Sequence, residues 1–291
     1  MSVATRSATG RGRAGRPRAT GRHVQILGIV NLTRDSFSDG GRFLEPGRAV
    51  AHALQLARDG ADWIDLGAQS THPEAELVSA DEELARLRPV VSDLVSRGVR
   101  VSIDTYRPEV VRVLLPLGIG MVNDVTGLRD PAMLETLAAC DAKVIAVHAT
   151  APGPRATPVN VSPDEIIERI EAFGSDLIVR ADRAGVRRER LILDPGMGFF
   201  LSRDPRVSLC VLRDLGRLRR LGLPLCVSTS RKSFIGAALG APGELRPPGQ
   251  RAAGTLASEL WTAAQGADYI RTHDVRALRD ALTIWRAIAE A

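Results

Sequence analysis

The sequence predicts an α/β protein of the (β/α)₈ barrel class, the TIM barrel, built as a single domain. Eight short apolar segments rich in β-branched residues recur along its 291 residues. Helical patterns lie between them, and such an alternation is typical of βαβ units and a parallel sheet. Eight units also match the usual size of this barrel. A doubly wound sheet is the structural alternative, but a doubly wound domain of this length usually contains fewer than eight strands.

The eight candidate strands are buried-type segments of four to seven residues, and each is followed by a polar residue or a turn. They are residues 24–30, 63–67, 99–104, 121–124, 143–148, 191–194, 224–229 and 269–273. Strands that are apolar throughout are expected in a parallel sheet that helices cover. These segments therefore predict the strands of the barrel in chain order.

Helical periodicity fills the intervals between these strands. Clear examples are residues 46–61, 81–98, 107–118, 130–141 and 251–267, and several of them end at or beside a glycine, as a helix C-cap does. Small residues on one face of 251–267 suit helix packing. No long linker divides residues 23–291, which are predicted to form one domain.

The charge of the chain is unevenly distributed. Residues 1–22 contain six arginines and no acid, whereas the whole chain has a net charge of +5, so residues 23–291 are close to neutral. The first 22 residues are predicted to be a disordered tail; a transit peptide or a nonspecific nucleic-acid arm is the alternative. The body of the protein gives no reason to expect nucleic-acid binding.

The spacing of the three cysteines and the hydropathy of the chain indicate the cellular compartment in which the protein is expected. Cys140, Cys210 and Cys226 lack CxxC spacing, which argues against a disulfide framework or a metal–thiolate site. No apolar run has the length of a membrane span, and no secretory signal is expected. These features predict a cytoplasmic protein without a membrane partner.

Every candidate strand ends in residues that form hydrogen bonds. They are Asn31, Asp65, Asp104, Asn123 with Asp124, His148, Asp194, residues 230–232, and Arg271 with His273. One aspartate at a strand end is more often a helix cap or a loop anchor. The carboxyl ends of all barrel strands meet on one face, however, where barrel enzymes have their active sites. The repeated placement therefore predicts a polar site there.

The residue types indicate the chemistry of the ligand. Asp104, Asn123 and Asp194 together suit a planar heterocycle with N–H donors and a carbonyl, and Lys232 adds a donor. Arg271 and His273 follow the eighth strand, where barrels commonly bind phosphate. The amide oxygen of Asn31, beside a diphosphate, is a reasonable Mg²⁺ ligand.

Seven motifs in this order make the sequence similar to dihydropteroate synthases. They are GIVNLTRDSFSDGGRF, ADWIDLGAQST, VSIDT, MVNDVTGLRDP, LILDPGMGF, TSRKSFIG and GADYIRTHDV, within residues 24–285. This family joins p-aminobenzoate to 6-hydroxymethyl-7,8-dihydropterin diphosphate with Mg²⁺ and releases diphosphate. The resemblance implies the same reaction in folate biosynthesis and a homodimer formed through late barrel helices.

The resemblance also implies roles for individual residues. The pterin residues are Asp104, Asn123, Asp194 and Lys232. The diphosphate residues are Asn31, Thr71, Arg271 and His273, with Asn31 also the Mg²⁺ ligand. The p-aminobenzoate residues are Thr71, Pro73, Phe199, Phe200 and Ser230. The catalytic set is Asp35, Asp104, Asp194 and Lys232.

Four places depart from the family pattern. Arg34 replaces a proline in the first loop, and Gln69 and His72 replace an acid and an arginine in the second. Phe200 and Leu201 follow Phe199 where most members have Gly-Lys. Thr272 replaces the usual valine on the eighth strand.

The segment 194–202, DPGMGFFLS, is similar to that of the transferable sulfonamide-insensitive synthases. A bulkier wall at Phe199 and Phe200 could reject sulfonamides, which project beyond p-aminobenzoate, while it admits the substrate. The alternative is that Phe200 packs under its loop and that drug sensitivity is unchanged.

Three other functions compete with the synthase hypothesis. The changes at Arg34 and His72 favour a non-catalytic pterin-binding paralogue, but the retained pterin and diphosphate residues argue against it. A pterin-dependent methyltransferase barrel would not need Arg271 and His273 for a diphosphate. A nucleic-acid module would depend on the arginine-rich tail alone.

Overall fold

The computed structural model describes residues 23–33, 45–70, 77–157 and 159–291. Eight parallel strands are found in this part of the chain. They are β1 (Gln25–Asn31), β2 (Trp63–Gly67), β3 (Val101–Asp104), β4 (Met121–Asp124), β5 (Lys143–Val147), β6 (Leu191–Asp194), β7 (Cys226–Val227) and β8 (Tyr269–Thr272). Each strand overlaps its predicted segment, and the difference is largest at β7, which covers only Cys226–Val227 of the predicted 224–229.

The strands form one sheet in the order β6-β5-β4-β3-β2-β1-β8-β7. A single parallel bridge between Leu193 and Leu225 joins β6 to the residues that lead into β7. The two edges of the sheet therefore meet, and the sheet is a nearly closed barrel. This confirms the predicted (β/α)₈ class.

The α-helices of the described residues surround the barrel and alternate with the strands. They are α1 (Pro46–Arg58), α2 (Ala80–Ser96), α3 (Pro108–Leu114), α4 (Pro131–Ala138), α5 (Ile166–Arg183), α6 (Pro205–Leu218), α7 (Ser233–Leu239), α8 (Ala252–Ala264) and α9 (Val275–Glu290). Local sequence explains where several begin. Pro46, Pro108, Pro131 and Pro205 start their helices, where the missing proline N–H costs no hydrogen bond. Asp130, Asp204 and Asp274 cap three of them.

The alternation of side chains along the strands produces two cores. Ile26 and Val30 of β1 face the helices, whereas Leu27 faces the interior of the barrel. The interior also contains large side chains such as Trp63, Met121 and Tyr269. Because these side chains fill the interior of the barrel, a ligand is expected to bind at one end of it.

No helix among the described residues has the length and apolar character needed to cross a membrane. The arginine-rich segment 1–22 lies outside the described residues, so its predicted disorder stays a prediction.

Candidate active site

The carboxyl ends of the strands surround a cleft that encloses about 390 Å³ of space, including open solvent. The side chains around it come from β3, β4, β5, β6, β8 and the loops after β4, β6 and β7. They are Asp104, Asn123, Val125, Val147, Asp194, Met197, Phe200, Ser228, Lys232 and Arg271, with Gly196 between them. All four predicted pterin residues and Arg271 thus lie around one cleft.

Asp194 is the last residue of β6 and is buried at the wall of this cleft. One carboxylate oxygen accepts a hydrogen bond from the backbone N–H of Gly196 at 2.8 Å. Burial raises the pKa of Asp194 to about 6, although this hydrogen bond and the charges of Lys232 and Arg271 oppose the increase. Its other carboxylate oxygen accepts no hydrogen bond from the described residues, and this suits a ligand that brings its own N–H donors.

Arg271 of β8 lies between two carboxylates at the centre of the site. Its Nε is 2.5 Å from Oδ2 of Asp65, and its Nη2 is 2.7 Å from Oδ2 of Asp104. Burial disfavours the charge of Arg271, but the two carboxylates outweigh it and raise its pKa. Nη1 makes no hydrogen bond within the described residues, which leaves one edge of the guanidinium for an anion.

Asp104 at the end of β3 and Asp65 both form ion pairs with Arg271. Burial raises the pKa of Asp104 to about 7, against the charge of Arg271. Asn123 donates from Nδ2 to Oδ2 of Asp65 at 3.2 Å, and its Oδ1 has no partner among the described residues. The Asn123 amide is therefore held by Asp65 while its oxygen can still accept from a ligand.

The sequence predicts Asp65 among the polar strand ends of the site but assigns it no role in binding or catalysis. The side chain is fully buried and contacts both Arg271 and Asn123. The signal that could have found it is the isolated acid inside the apolar β2 segment WIDLG, since a buried charge needs a partner.

Lys232 precedes α7 and points toward the same cleft. Its Nζ lies 5.0 Å from the centre of the Phe200 ring. Burial and the nearby Arg271 lower the pKa of Lys232 to about 8, against the attraction of Asp194 and Asp104. The preceding residue, Arg231, has a left-handed backbone with φ 57°. Thr255 and Arg251 hold that turn through the Arg231 N–H and C=O at 3.0 and 2.7 Å.

Ser230 and His273 contact each other beside this turn. Ser230 Oγ lies 2.9 Å from His273 Nδ1 and accepts the backbone N–H of His273 at 3.2 Å. Ser230, which the resemblance assigns to p-aminobenzoate, is thus bonded to a predicted diphosphate residue. That assignment stays a prediction.

Asn31 ends β1 and is half-buried. Its side chain makes no hydrogen bond to the described residues, so its amide oxygen is available to a cation. Within the same residues no group of three or more His, Cys, Asp or Glu is placed to hold a metal ion. A site for Mg²⁺ would thus combine the Asn31 oxygen with oxygens of the substrate and water, a donor set that this hard ion accepts.

The first two loops, which contain several predicted site residues, are only partly included in the described residues. Asp35, Thr71 and Pro73, together with the departures Arg34 and His72, lie outside the described residues. Gln69 is described, and it links the flanks of the segment 71–76. Its Oε1 accepts from the Val78 N–H at 2.8 Å and its Nε2 donates to Ser70 O at 2.9 Å.

Phe199 and Phe200 differ in their surroundings. Phe200 is buried in the interior core and lines the cleft, whereas Phe199 is half-buried with Arg203 5.9 Å from its ring centre. Both rings therefore pack in or against the interior core, but only Phe200 of the two lines the cleft with the predicted pterin residues.

Two other polar strand ends have structural roles. Asp124 accepts the backbone N–H groups of Thr126 and Leu128, so it anchors the loop after β4. His148 is buried, with Nδ1 3.3 Å from Pro195 O and its ring against Phe173. Burial lowers the pKa of His148 to about 4.

Comparison with known proteins identifies the relatives of this chain. The family model described as pterin binding enzyme matches residues 27–273. A type-2 dihydropteroate synthase of Escherichia coli is 46% identical over 266 residues, which cover 91% of this chain and 96% of that protein. A type-3 enzyme of the same species is 42% identical, with coverage of 91% and 99%.

Solved structures give the same result. A Xanthomonas albilineans dihydropteroate synthase with 4-aminobenzoic acid superposes with a TM-score of 0.83 at 40% identity, and the match covers 93% of this chain and 94% of that one. The complex of the Xanthomonas albilineans enzyme with 7,8-dihydropteroate has a TM-score of 0.77 at 36% identity, with the same coverage.

Proposed function

Because the chain belongs to the dihydropteroate synthase family of pterin-binding enzymes, we propose how its described residues perform that reaction. The enzyme condenses 6-hydroxymethyl-7,8-dihydropterin diphosphate with p-aminobenzoate to give 7,8-dihydropteroate and diphosphate. The observation that carries the assignment is the cleft in which Asp104, Asn123, Asp194 and Lys232 lie together with Arg271.

The pterin ring is bound by the four polar residues of this cleft. Asp194 and Asp104 accept N–H groups of the ring, and the Asn123 oxygen, which lacks a partner within the described residues, accepts another. Lys232 donates to a ring nitrogen or carbonyl. Phe200 and Met197 supply apolar surface beside a flat ligand.

The diphosphate leaves from the side of the site that carries Arg271, His273 and Asn31. The free Nη1 edge of Arg271 donates to an anionic oxygen, and a fixed cation there stabilises the negative charge that develops as the C–O bond breaks. Asn31 supplies an oxygen ligand for Mg²⁺. When bound, this ion would neutralise charge on the leaving group.

The reaction is a displacement at the pterin methylene group. As diphosphate departs, positive charge spreads into the ring nitrogen system, and the carboxylates Asp104 and Asp194 favour that cationic state. The arylamine of p-aminobenzoate then forms the new C–N bond and loses a proton. No covalent intermediate with the enzyme is required. Asp35, which lies outside the described residues, keeps its predicted catalytic role in the first loop.

Steady-state turnover with dihydropterin diphosphate, p-aminobenzoate and Mg²⁺ tests this assignment. We expect turnover that depends on all three components and that Asn123→Ala reduces at least about tenfold, the loss of one or two hydrogen bonds to the ring. Pterin binding without any turnover would instead indicate the non-catalytic paralogue.

The second part of the proposal is low sensitivity to sulfonamides, caused by Phe199 and Phe200. It is supported by Phe200, which lines the cleft, by Phe199, which packs against the same interior core, and by the similarity to type-2 and type-3 enzymes. Phe199→Gly and Phe200→Gly should each lower the inhibition constant of a sulfonamide more than they change KM for p-aminobenzoate. Unaltered inhibition in both variants would contradict the idea, and Phe199, which is half-buried, is the variant that least disturbs the core.

The enzyme is further proposed to act as a homodimer in the cytoplasm. Large apolar side chains are exposed on the late helices, including Leu209 on α6, Trp261 on α8, and Ile284 and Ile288 on α9. Exposed apolar surface of this kind is typical of an interface between subunits. The three cysteines are free thiols, in line with a reducing compartment.

A further inference from the structure

The turn that carries Lys232 to the cleft has a backbone conformation that its sequence disfavours. It covers residues 229–232, and the Lys232 N–H donates to Thr229 O at 3.1 Å. Arg231, at the third position of the turn, has φ 57°. Glycine or asparagine usually occupies this position when φ is positive, because a residue with a Cβ atom is crowded there. Contacts from outside the turn are therefore needed to hold Arg231 in this conformation.

Helix α8 and the residue before it hold Arg231 by both of its backbone polar groups. Thr255 Oγ1 accepts the Arg231 N–H at 3.0 Å, and Arg251 Nη1 donates to Arg231 O at 2.7 Å. Ser258 Oγ lies 2.9 Å from Thr229 Oγ1 in the same turn. Residues 251, 255 and 258 are four and three positions apart, so they lie on one face of the helix. One face of α8 therefore binds the backbone of the turn.

Arg251 is buried and fixed by a second contact. Its Nε donates to Arg246 O at 2.6 Å. A Cβ atom at Gly236 of α7 would lie 2.6 Å from this Nε, so the guanidinium crosses α7 where a larger residue would collide with it. A buried guanidinium is costly unless its donors find acceptors. The two carbonyl groups that accept from Arg251 thus connect the turn to the segment before α8.

The two residues beside Arg231 reach the site because of this turn. Ser230 Oγ lies 2.9 Å from His273 Nδ1, and Lys232 lines the cleft with its Nζ 5.0 Å from the centre of the Phe200 ring. A right-handed or extended backbone at Arg231 would turn the following residue in another direction, because φ and ψ set the path of the chain. The hydrogen bonds from α8 therefore determine where the Lys232 ammonium lies.

We propose that Arg251 and Thr255 are positioning residues that keep Arg231 in the left-handed conformation and so place Lys232 at the pterin. Neither residue lines the cleft. Without them the turn that is competent to bind would be only partly populated, since the left-handed region is disfavoured for a residue with a Cβ atom. The effect on pterin affinity rests on the proposed role of Lys232 in binding the ring, but the conformation of the turn does not.

Pterin affinity, measured by calorimetric titration with 6-hydroxymethylpterin, tests this proposal. Thr255→Val should weaken binding about fivefold, because the Arg231 N–H then lacks its acceptor and the native turn is disfavoured. Thr255→Ser keeps an acceptor and should stay within about twofold of the unmodified protein. Thr262→Val is the matched control. Thr262 is also buried on α8, but its hydroxyl donates to Ser258 O of the same helix at 2.7 Å and not to the turn.

Two double variants separate positioning from a general structural role. In Arg231→Gly, the additional change Thr255→Val should weaken binding by less than about twofold, because glycine adopts positive φ without steric cost. In Lys232→Met, Thr255→Val should cause no further loss, because the group that it displaces is already absent. A loss in either background as large as that in the unmodified protein would overturn the proposal. Unchanged affinity in both Thr255→Val and Arg251→Met would also overturn it.

A measurement without ligand keeps this inference separate from the proposed function. In a crystal structure of the ligand-free double variant Arg251→Met with Thr255→Val, we expect Arg231 to leave the left-handed region and Lys232 Nζ to move away from Phe200. An unchanged turn would overturn the inference. Thr255→Val alone, in which Lys232 should occupy more than one position, replaces the double variant if that does not fold. Absence of pterin binding together with the expected structures would reject the proposed function alone.

Discussion

At the scale of single residues, Asp65 holds the long, charged side chain of Arg271 in a fixed position in this site. Its carboxylate binds Nε of Arg271 and Nδ2 of Asn123, so one buried acid orients both a cation and an amide. A buried charge is costly unless it is paired, and loss of one partner leaves the other uncompensated.

Asp65→Asn tests this orientation. We expect the free energy of unfolding to fall by about 3 kcal/mol, because Arg271 retains only Asp104 as a counter-ion. KM for the pterin diphosphate should rise at least about tenfold, since both Arg271 and Asn123 lose their fixed positions. Urea unfolding and steady-state kinetics measure these effects.

Asp141→Asn is the matched control, because it breaks an exposed ion pair with Arg187. It should change stability by less than about 0.5 kcal/mol. Equal effects of the two variants would show that Asp65 has no special part in the site.

Asp194 gives a pH-dependent prediction. Its pKa is raised by burial from 3.8 to about 6, so the folded state binds a proton more tightly than the unfolded state. The associated stability is fully present below about pH 4 and is lost as the pH rises through about 6. Asp194→Asn removes this penalty, and the variant should be more stable than the unmodified protein by about 2 kcal/mol at pH 8, with a smaller gain at pH 4.5.

The same variant should lose affinity for the pterin, because an amide cannot replace a carboxylate that accepts two N–H groups. Unfolding curves at the two pH values and calorimetric titration with a pterin measure both effects. Lower stability of Asp194→Asn at pH 8 would show that the ionised carboxylate is stabilised by its surroundings.

At the scale of elements, the loop after β6 is fixed by its contact with the end of β5. Gly196 has φ 72°, and a Cβ atom at this position would lie 2.1 Å from His148 O. His148 in turn contacts Pro195 O through Nδ1. The close approach of the two strand ends therefore holds the turn whose N–H binds Asp194.

Gly196→Ala should disrupt that turn. We expect a loss of at least about 3 kcal/mol in the free energy of unfolding, because the new methyl group collides with backbone that cannot move freely. Turnover should fall as well, since the hydrogen bond from Gly196 N to Asp194 is displaced. Denaturant unfolding and kinetics are the measurements.

Gly185→Ala provides the comparison. Gly185 follows α5 with φ 80°, is exposed, and would place its Cβ in open space. The variant should lose only about 1 kcal/mol, the cost of the left-handed backbone. Similar losses at both positions would show that backbone conformation, and not the contact with His148, is what requires glycine.

At the scale of the whole molecule, the exposed apolar side chains of the late helices predict self-association. Light scattering on a sizing column should give twice the 31.2 kDa mass of one chain. Trp261→Glu should shift the protein toward the monomer, because Trp261 is 49% exposed and a charge in an apolar interface is costly.

Val113→Glu serves as the control for this variant, because Val113 is similarly exposed, at 41%, on the early helix α3. It should leave the dimer intact. A monomeric unmodified protein would refute the proposed dimer. A Trp261→Glu variant that remains dimeric would show that the interface lies on another surface.

Much of the molecule followed from sequence alone, for a physical reason. Segments such as WIDLG and LILD predict their strands to the residue, because strands that are buried on both faces consist mostly of apolar residues. The alternation with helices makes the strands parallel, and parallel strands place their carboxyl ends on one face. The sequence therefore determined the barrel and the end at which the cleft lies, and it predicted four residues that surround the cleft, Asp104, Asn123, Asp194 and Lys232.

Only the tertiary structure decided which polar residues are partners. Arg271 lies between Asp65 and Asp104, which are 206 and 167 positions away in the chain. Lys232 lies over Phe200, and the Ser230 hydroxyl lies between the Thr272 hydroxyl and His273 Nδ1. The spacing of residues along the sequence indicates which side chains lie at the carboxyl ends of the strands. It does not indicate which of these side chains contact each other across the barrel. Closure of the sheet brings distant strand ends together, and burial then forces each charge to find a partner.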